Sequence, residues 1–282
     1  FEWNASSNKI AFIRFDETNV PEFSMDIYGT DLYQTQEVFK YPKAGETNAT
    51  VSLHFYDLST DTISSVALSK DYNDFYIPRI KWTNDPNVLS AQYMNRHQNN
   101  LDLWLLNPET NQANLVLSEQ DEAYVDVTDN LTFLKDNSFI WTSEKDGFNH
   151  IYHYAKNGKL KNQITKGDWE VTAYYGYNEP AKTIYYQSVE NGSINRDVYS
   201  IRLNGKNKKR LSTQEGTNDA EFSADFTYFI KTYSSAASPP KFTLNDSKTG
   251  RLVKNIKHNS ALLTKLEAYN YSTKEFSTIN VN

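Results

Sequence analysis

The side chains that could do chemistry are few and scattered along the chain. His150 and His153 are the closest pair of histidines, and two imidazoles are common metal ligands. The flanking Ile-Tyr and Tyr residues favour a β-strand, in which residues three apart point to opposite faces. We therefore expect no shared metal site here, and we predict no metal and no cofactor for the chain.

Two acidic segments could bind a cation or an ammonium group. Glu144-Lys145-Asp146-Gly147 has the composition of a turn, and Asp121-Glu122 is followed by Asp126 and Asp129. The second group could draw the cationic end of a peptide into a pocket. A solvated hairpin and a charged surface loop are the simpler alternatives, and both remain open.

Composition and charge exclude several classes of function. The net charge is −6, and no aromatic residue is interleaved with the one basic run at 206–210, which argues against nucleic acid as a partner. The absence of cysteine excludes disulfides, cysteine-ligated zinc and a thiol nucleophile. No apolar run approaches the roughly 20 residues that span a bilayer. Because the chain begins at Phe1, we interpret it as a piece of a longer protein.

A repeated unit organises these residues. Each copy has an aromatic anchor that closes a short strand, a polar turn, a buried strand, an alternating strand, and a hairpin into a fourth strand. The anchors are Trp3, Trp82, Phe133, Tyr177 and Phe222. The buried strands are predicted at 10–15, 88–94, 139–142, 183–187 and 227–231. The alternating strands are predicted at 51–56, 101–106, 150–154, 197–203 and 241–244.

The clearest hairpin signals are the Asn-Gly pairs at 157–158 and 204–205. We expect both central residues of these turns to adopt positive φ. Four antiparallel strands in about 40–50 residues match the size of a β-propeller blade. The sequence thus predicts an all-β propeller of about five four-stranded antiparallel blades over residues 1–258. A β-sandwich is the competing architecture.

Two segments depart from the repeat. Residues 19–41 lengthen the first unit and carry several aromatic residues, which predicts a projecting arm rather than a disordered loop. After the last unit, Asn259 is expected to cap a short helix at 260–269, and a further strand is expected at 274–281. Residues 259–282 would then form an exit from the propeller.

Several ordered segments resemble one known family. Phe15-Asp16-Glu17-Thr18-Asn19-Val20-Pro21, Tyr41-Pro42-Lys43-Ala44-Gly45-Glu46-Thr47-Asn48 and Gln163-Ile164-Thr165-Lys166-Gly167-Asp168-Trp169-Glu170-Val171 are the specific matches. Ser143–Tyr152 and Asn259-Ser260-Ala261-Leu262 also match in order. The chain resembles the propeller of dipeptidyl peptidase IV and its bacterial relatives, in the prolyl oligopeptidase clan.

The resemblance implies a parent serine exopeptidase that removes Xaa-Pro or Xaa-Ala dipeptides from peptides with a free N-terminus. Such a protein has an eight-bladed propeller that gates access and an α/β-hydrolase domain with a Ser-Asp-His triad. This chain contains no Gly-x-Ser-x-Gly nucleophile motif. The family's paired glutamates would lie before Phe1. The fragment alone is therefore expected to be inactive, and a stand-alone binding or scaffold propeller is the alternative.

The resemblance also implies particular residues and partners. A loop that lines the distal substrate pocket maps to Tyr124 and Asp126, where an ordinary inter-blade strand is the alternative. The arm is expected to support a homodimer through Val20, Pro21, Phe23, Tyr28 and Tyr41. The expected location is the periplasm or the cell envelope of a bacterium.

Overall fold

The computed structural model describes residues 1–269, 272 and 274–281, and almost all of its regular structure is β-sheet. The chain divides into two compact units. The first contains residues 1–129, 135–137 and 156–159. The second contains residues 130–134, 138–155 and 160–282.

The first unit contains two four-stranded antiparallel sheets and a separate hairpin. The first sheet has the order β1 (Glu2–Trp3), β2 (Lys9–Asp16), β5 (Thr50–Asp57) and β6 (Thr62–Ser64). The second has the order β7 (Phe75–Trp82), β8 (Leu89–Asn95), β9 (Asn100–Asn107) and β10 (Gln112–Gln120). The hairpin consists of β3 (Glu22–Ile27) and β4 (Thr35–Lys40).

The second unit contains three further sheets of the same type, each with its strands in chain order. The third sheet comprises β11 (Thr132–Phe133), β12 (Phe139–Ser143), β13 (His150–Tyr154) and β14 (Leu160–Gln163). The fourth comprises β15 (Val171–Asn178), β16 (Thr183–Ser188), β17 (Asp197–Arg202) and β18 (Lys209–Arg210). The fifth comprises β19 (Thr217–Phe222), β20 (Tyr228–Ser235), β21 (Ser238–Asp246) and β22 (Leu252–Lys257).

The five predicted buried strands and five predicted alternating strands all form, and most bounds differ by only one residue. The largest differences are at the end of β20, which extends to Ser235 rather than Lys231, and at the start of β21, which begins at Ser238 rather than Lys241. Pro239 and Pro240 are unusual within a strand, since proline cannot donate to a ladder. The β20–β21 ladder is irregular between Tyr233 and Ser235, and this irregularity accommodates the two prolines.

The expected conformation of the Asn-Gly turns is wrong. Gly158 and Gly205 have φ values of 82° and 75°, but Asn157 and Asn204 do not have positive φ. Gly205 N donates to Arg202 O at 2.8 Å, and Lys206 N donates to the Asn204 side chain at 3.1 Å. This is a type I turn followed by a glycine bulge, in which the asparagine closes the turn with its carboxamide.

Apolar side chains between neighbouring sheets form the cores of both units. In the first unit, the Phe55 and Trp82 rings meet edge to face at 6.1 Å. In the second unit, the Tyr185 and Phe222 rings lie 4.5 Å apart. Full burial of a large apolar side chain contributes about 1.5–3 kcal/mol. Of the five aromatic anchors, Trp82 is buried in this way, whereas Trp3 is 46% exposed.

A buried polar contact recurs in three of the sheets and holds the third strand to the segment that contains or follows the fourth. Ser118 donates to Asp102 at 2.6 Å and Ser212 to Asp197 at 2.6 Å, while His150 Nδ1 lies 3.0 Å from the Thr165 hydroxyl. The hydroxyls of Thr165 and Ser212 also accept backbone N–H groups at 2.9 and 3.1 Å. Such contacts satisfy buried polar groups and fix the register of the outer strand.

The predicted arm is an ordered hairpin. Its base is closed by a hydrogen bond from Tyr41 N to Pro21 O at 2.9 Å. The rings of Phe23, Phe39 and Tyr41 pack on one another with centroids 5.7–6.0 Å apart. Val20 at the root is only 3% exposed, so its side chain cannot meet a partner at the arm's surface.

The C-terminal segment corrects two predictions. Helix α1 (Ser260–Glu267) forms, but Asn259 does not cap it: its φ is 53°, and its amide donates to Pro240 O at 2.7 Å instead. The predicted strand at 274–281 is wrong, since those residues have no regular structure. Its alternating pattern alone could not create a strand, because a strand requires a neighbour to satisfy its backbone. Residues 270, 271, 273 and 282 of the predicted exit lie outside the described residues.

Candidate binding site

The turn between β8 and β9 is the centre of the candidate site in the first unit. Asn95 holds the turn because its side-chain oxygen accepts the backbone N–H groups of Asn99 and Asn100 at 3.1 and 3.0 Å. Gln98 adopts a left-handed conformation with φ 57°, which reverses the chain and presents the Gln98 carbonyl and side chain outward. Arg96 and Gln98 then make different contacts on the two sides of the turn.

Arg96 connects this turn to two preceding segments. Its guanidinium bonds to the Asp74 carboxylate at 2.7 Å and to the Glu46 carbonyl at 2.5 Å. The contact with Asp74 raises the pKa of Arg96 above its usual value. The Tyr41-to-Asn48 segment is thus held next to the turn through Glu46.

The loop at 121–129 packs on the other side of the same turn. Val125 N donates to Gln98 O at 2.8 Å, and the Tyr124 hydroxyl donates to the Gln98 side chain at 3.1 Å. Asp121 stabilises the start of the loop by accepting Ala123 N at 2.8 Å. This segment is a loop rather than the inter-blade strand that was the alternative. Tyr124 remains 49% exposed, so one face of its ring is available to a ligand.

The acidic residues of this loop do not converge on one pocket. Asp121 is used within the loop, and Asp129 forms a bidentate pair with Arg79, whose second contact is 3.2 Å. The Arg79 guanidinium lowers the pKa of Asp129. Asp126 is exposed and lies two residues from Tyr124 along the chain. The charged-surface-loop alternative therefore describes this segment better than an acidic pocket.

Two concave regions flank the turn. One, of about 380 Å³, lies beside Arg96 and is lined by the segment from Gly45 to Val51. The other, of about 480 Å³, is lined by Lys70, Tyr72, Asn99 and Asp121 among others. Amide and aromatic side chains dominate the second region, whereas the first also contains the charged groups of Glu46, Asp74 and Arg96. Both regions offer polar groups that can form hydrogen bonds with a peptide backbone.

A buried aspartate holds two of the residues that line the second of these regions. The side chain of Asp102 is fully buried and accepts hydrogen bonds from Tyr72 at 2.7 Å, Ser118 at 2.6 Å and Lys70 at 2.5 Å. Trp104 in turn donates to the Tyr72 hydroxyl at 2.7 Å. Burial alone would raise the pKa of Asp102, but the three hydrogen bonds outweigh it and hold the pKa below its usual value. The network fixes Lys70 and Tyr72 at the wall of the groove.

The described residues do not form a complete nucleophilic triad around the most suggestive Ser-His pair. Ser52 Oγ lies 2.8 Å from His54 Nε2, and the His54 ring stacks on Phe12 at 5.4 Å. No carboxylate contact orients His54 within the described part of the chain, although the triad logic requires one. The pair is part of the β5 surface.

The two histidines that could have shared a metal have separate partners. His150 Nε2 lies 3.0 Å from Gly167 O, and its ring meets Trp169 edge-on at 5.0 Å. His153 Nε2 lies 2.9 Å from the Ser138 hydroxyl. Their placement on opposite faces of β13 agrees with the expectation from strand geometry.

Sequence reasoning missed Arg96 and the Asp102 network. Asp102 did carry a signal, because a charged residue inside Leu-Asp-Leu-Trp-Leu-Leu must find buried partners. Arg96 had none, since its partners lie 22 and 50 residues away along the chain. Only the folded arrangement of the first two sheets brings these groups together.

Comparisons with known proteins agree with this architecture. A family model described as the dipeptidyl peptidase IV (DPP IV) N-terminal region matches residues 1–240. The crystal structure of Porphyromonas gingivalis dipeptidyl peptidase 4 is 41% identical and superposes with a TM-score of 0.91, covering 98% of this chain and 39% of that one. The five sheets and this superposition identify the fold as a β-propeller of four-stranded antiparallel blades, as the sequence predicted.

Relatives of lower sequence identity also match almost the whole of this chain. A putative dipeptidyl aminopeptidase IV of Bacteroides ovatus is 26% identical with a TM-score of 0.78, covering 91% of this chain and 39% of that one. The probable dipeptidyl-aminopeptidase B of Tuber melanosporum is 27% identical over 310 residues, covering 99% of this chain and 34% of the relative. The chain thus spans about a third of the length of this curated relative.

Proposed function

Because this chain belongs to the family of the dipeptidyl peptidase IV N-terminal region, we propose that it is the non-catalytic propeller portion of a serine dipeptidyl peptidase. The parent protein removes Xaa-Pro or Xaa-Ala dipeptides from peptides with a free N-terminus, using an α/β-hydrolase domain elsewhere in its chain. The observation that carries this proposal is the likeness to a dipeptidyl peptidase 4 over 98% of this chain.

The test compares two proteins on Gly-Pro and Ala-Pro 4-nitroanilides. The full-length parent protein should release 4-nitroaniline, and residues 1–282 alone should not. Activity of the isolated chain would contradict the assignment of the chemistry to another domain. An inactive full-length protein, or a reading frame without a downstream hydrolase domain, would instead support a binding or scaffold propeller.

Within that function, the β8–β9 turn and the 121–129 loop form part of the wall that receives the peptide. The half-exposed ring of Tyr124 supplies an apolar face, and Asp126 adds a negative charge beside it. Arg96 and Gln98 hold this wall in position through the contacts described above. The propeller then controls which peptides reach the reacting groups of the parent protein.

The arm of residues 19–41 supports a homodimer of the parent protein. Large apolar side chains toward its tip are open to solvent, with Tyr28 at 80%, Leu32 at 90% and Tyr33 at 79% exposed. Exposed apolar groups concentrated on one projecting hairpin are typical of a protein contact. The expected periplasmic or envelope location belongs to the same proposal, and fractionation of the native cells tests it.

A further inference from the structure

A groove in the second unit lies apart from the candidate peptide site. It runs along one face of the fifth sheet, and Arg210 and Leu211 at the end of the short outer strand β18 of the fourth sheet also line it. The cavity is about 500 Å³. In the ladder between β20 and β21, Lys231 pairs with Thr243 and Tyr233 pairs with Lys241. All four side chains therefore lie on this face of the sheet.

The charged side chains that line this groove are all basic. Arg210, Lys231, Lys241 and Arg251 line it together with His258, and no aspartate or glutamate is among the lining residues. Arg210 is already paired with the buried Asp197 at 2.9 Å. Asp246, which lies near Arg251, accepts Thr249 N at 2.8 Å. Asp246 offsets part of the charge of Arg251, so the positive charge that no lining carboxylate matches comes mainly from Lys231 and Lys241.

Lys231 is the unusual member of this set. It is only 8% exposed, and its ammonium makes one long hydrogen bond of 3.4 Å to the Gln214 amide oxygen. Burial lowers the pKa of Lys231. A buried ammonium normally has a carboxylate partner, because its lost hydration is costly. An anion in the groove would supply that missing partner.

We propose that this groove binds a phosphate group, either as the free ion or as part of a small phosphomonoester. Lys231 and Lys241, together with the partly offset Arg251, favour a ligand with more than one negative charge, since a single carboxylate would match only one of these cations. The cavity lies within the range of about 300–1,000 Å³ that is usual for small-molecule sites. Tyr233 offers a ring wall and Thr243 a hydroxyl beside the cations.

The experiment is isothermal titration calorimetry of the full-length protein with inorganic phosphate and with glucose 6-phosphate. Ionic strength is held constant with sodium chloride so that general screening does not change. We expect saturable binding of at least one of the two probes. Tighter binding of inorganic phosphate would identify the free ion, and tighter binding of glucose 6-phosphate would identify a phosphomonoester.

Variants locate the binding. Lys231→Met and the pair Lys241→Gln with Arg251→Gln should each weaken affinity roughly tenfold or more, since each removes a charged contact. The pair Lys254→Gln with Lys257→Gln is the matched control, because both lysines are exposed on β22 and do not line the groove. Lys231→Met should retain its melting temperature, which separates lost binding from lost folding.

Two results would overturn the proposal. One is that neither probe binds the wild-type protein. The other is equal affinity in the groove variants and in the β22 control, which would indicate a non-specific response to net charge. Peptidase activity is not a readout in either case, so failure here leaves the proposed function untouched.

Discussion

The ring of Phe226 occupies the space that a side chain at Gly176 would need. A methyl group at Gly176 would lie 2.7 Å from Cζ of Phe226, and Gly176 itself has a φ of 133°. Phe226 also has positive φ, at 55°, while its ring stacks on Tyr185 at 5.4 Å. A bulky residue rarely adopts this conformation, so packing between the fourth and fifth blades outweighs a local backbone cost.

Gly176→Ala should therefore destabilise the second unit by roughly 2–4 kcal/mol, from overpacking and backbone strain together. Urea denaturation followed by tryptophan fluorescence measures the change. Gly29→Ala is the control, since no atom lies within 4 Å of its added methyl group. In a Phe226→Ala background the cost of Gly176→Ala should shrink, and an unchanged cost would contradict direct contact as the cause.

The Asp102 network predicts a dependence of stability on pH. Asp102→Asn should cost about 1–3 kcal/mol at neutral pH, because Lys70, Tyr72 and Ser118 lose an ionised acceptor. The folded pKa of Asp102 is lowered, so its contribution is fully present above the unfolded value of about 3.9. That contribution is lost as pH falls through the still lower folded pKa.

Urea midpoints of wild type and Asp102→Asn should consequently differ at pH 7 and begin to converge as the pH falls below about 4. Asp126→Asn is the matched control, since that carboxylate is exposed on a surface loop, and it should leave the midpoint at pH 7 unchanged. A constant difference between wild type and Asp102→Asn down to the lowest pH would show that the charge of Asp102 is not what stabilises the blade.

Substitution of Tyr124 tests whether its loop forms part of the wall that receives the peptide. In the full-length protein, Tyr124→Ala should raise KM for tripeptide and longer substrates severalfold with little change in kcat, because it removes binding surface without touching the reacting groups. Tyr124→Phe keeps the ring and loses only the hydroxyl bond to Gln98, so it should have a smaller effect. Tyr228→Ala, at another exposed tyrosine, should leave KM unchanged. An unchanged KM in Tyr124→Ala would remove this loop from the substrate path.

Deletion of the arm tests self-association. Residues 22–40 can be replaced by Asn-Gly, because Pro21 and Tyr41 already share a hydrogen bond at the base and Val20 keeps its buried place. The full-length variant should be monomeric by light scattering at concentrations where wild type is dimeric. Its thermal stability should be retained, since halving an insertion lowers the closure cost by about 0.6 kcal/mol. A variant that stays dimeric would place the contact elsewhere.

The repeat could be predicted because each blade carries local signals: an aromatic anchor, alternating strands and a turn. The third strand at His150–Tyr154 was predicted at its observed bounds. The Asn-Gly turns were misassigned because the same dipeptide serves two hairpin types, and the bulge that distinguishes them depends on the outer strand. Asn259 failed as a cap because a carbonyl of β21, distant in sequence, competes for its side chain.

The candidate site was harder to predict for a related reason. Tyr124 and Asp126 were predicted as site residues from a family resemblance. The folded loop shows in addition that Asp121 accepts a backbone N–H of the loop and that Asp129 pairs with Arg79. Arg96 joins segments that are far apart in sequence, so no local sequence pattern predicts its role. The unmatched charge around Lys231 is likewise a property of two adjoining blades rather than of any one stretch.

The insertion point of the arm has a consequence for protein engineering. Asp16 and Thr50 are direct ladder partners on β2 and β5, so the first blade joins its strands across residues 17–49 whatever those residues contain. Within this insertion, the hydrogen bond between Pro21 and Tyr41 brings the two ends of the arm together at a second point. This position is therefore a natural graft site, where a foreign hairpin or an affinity tag could replace the arm while the blade keeps its register.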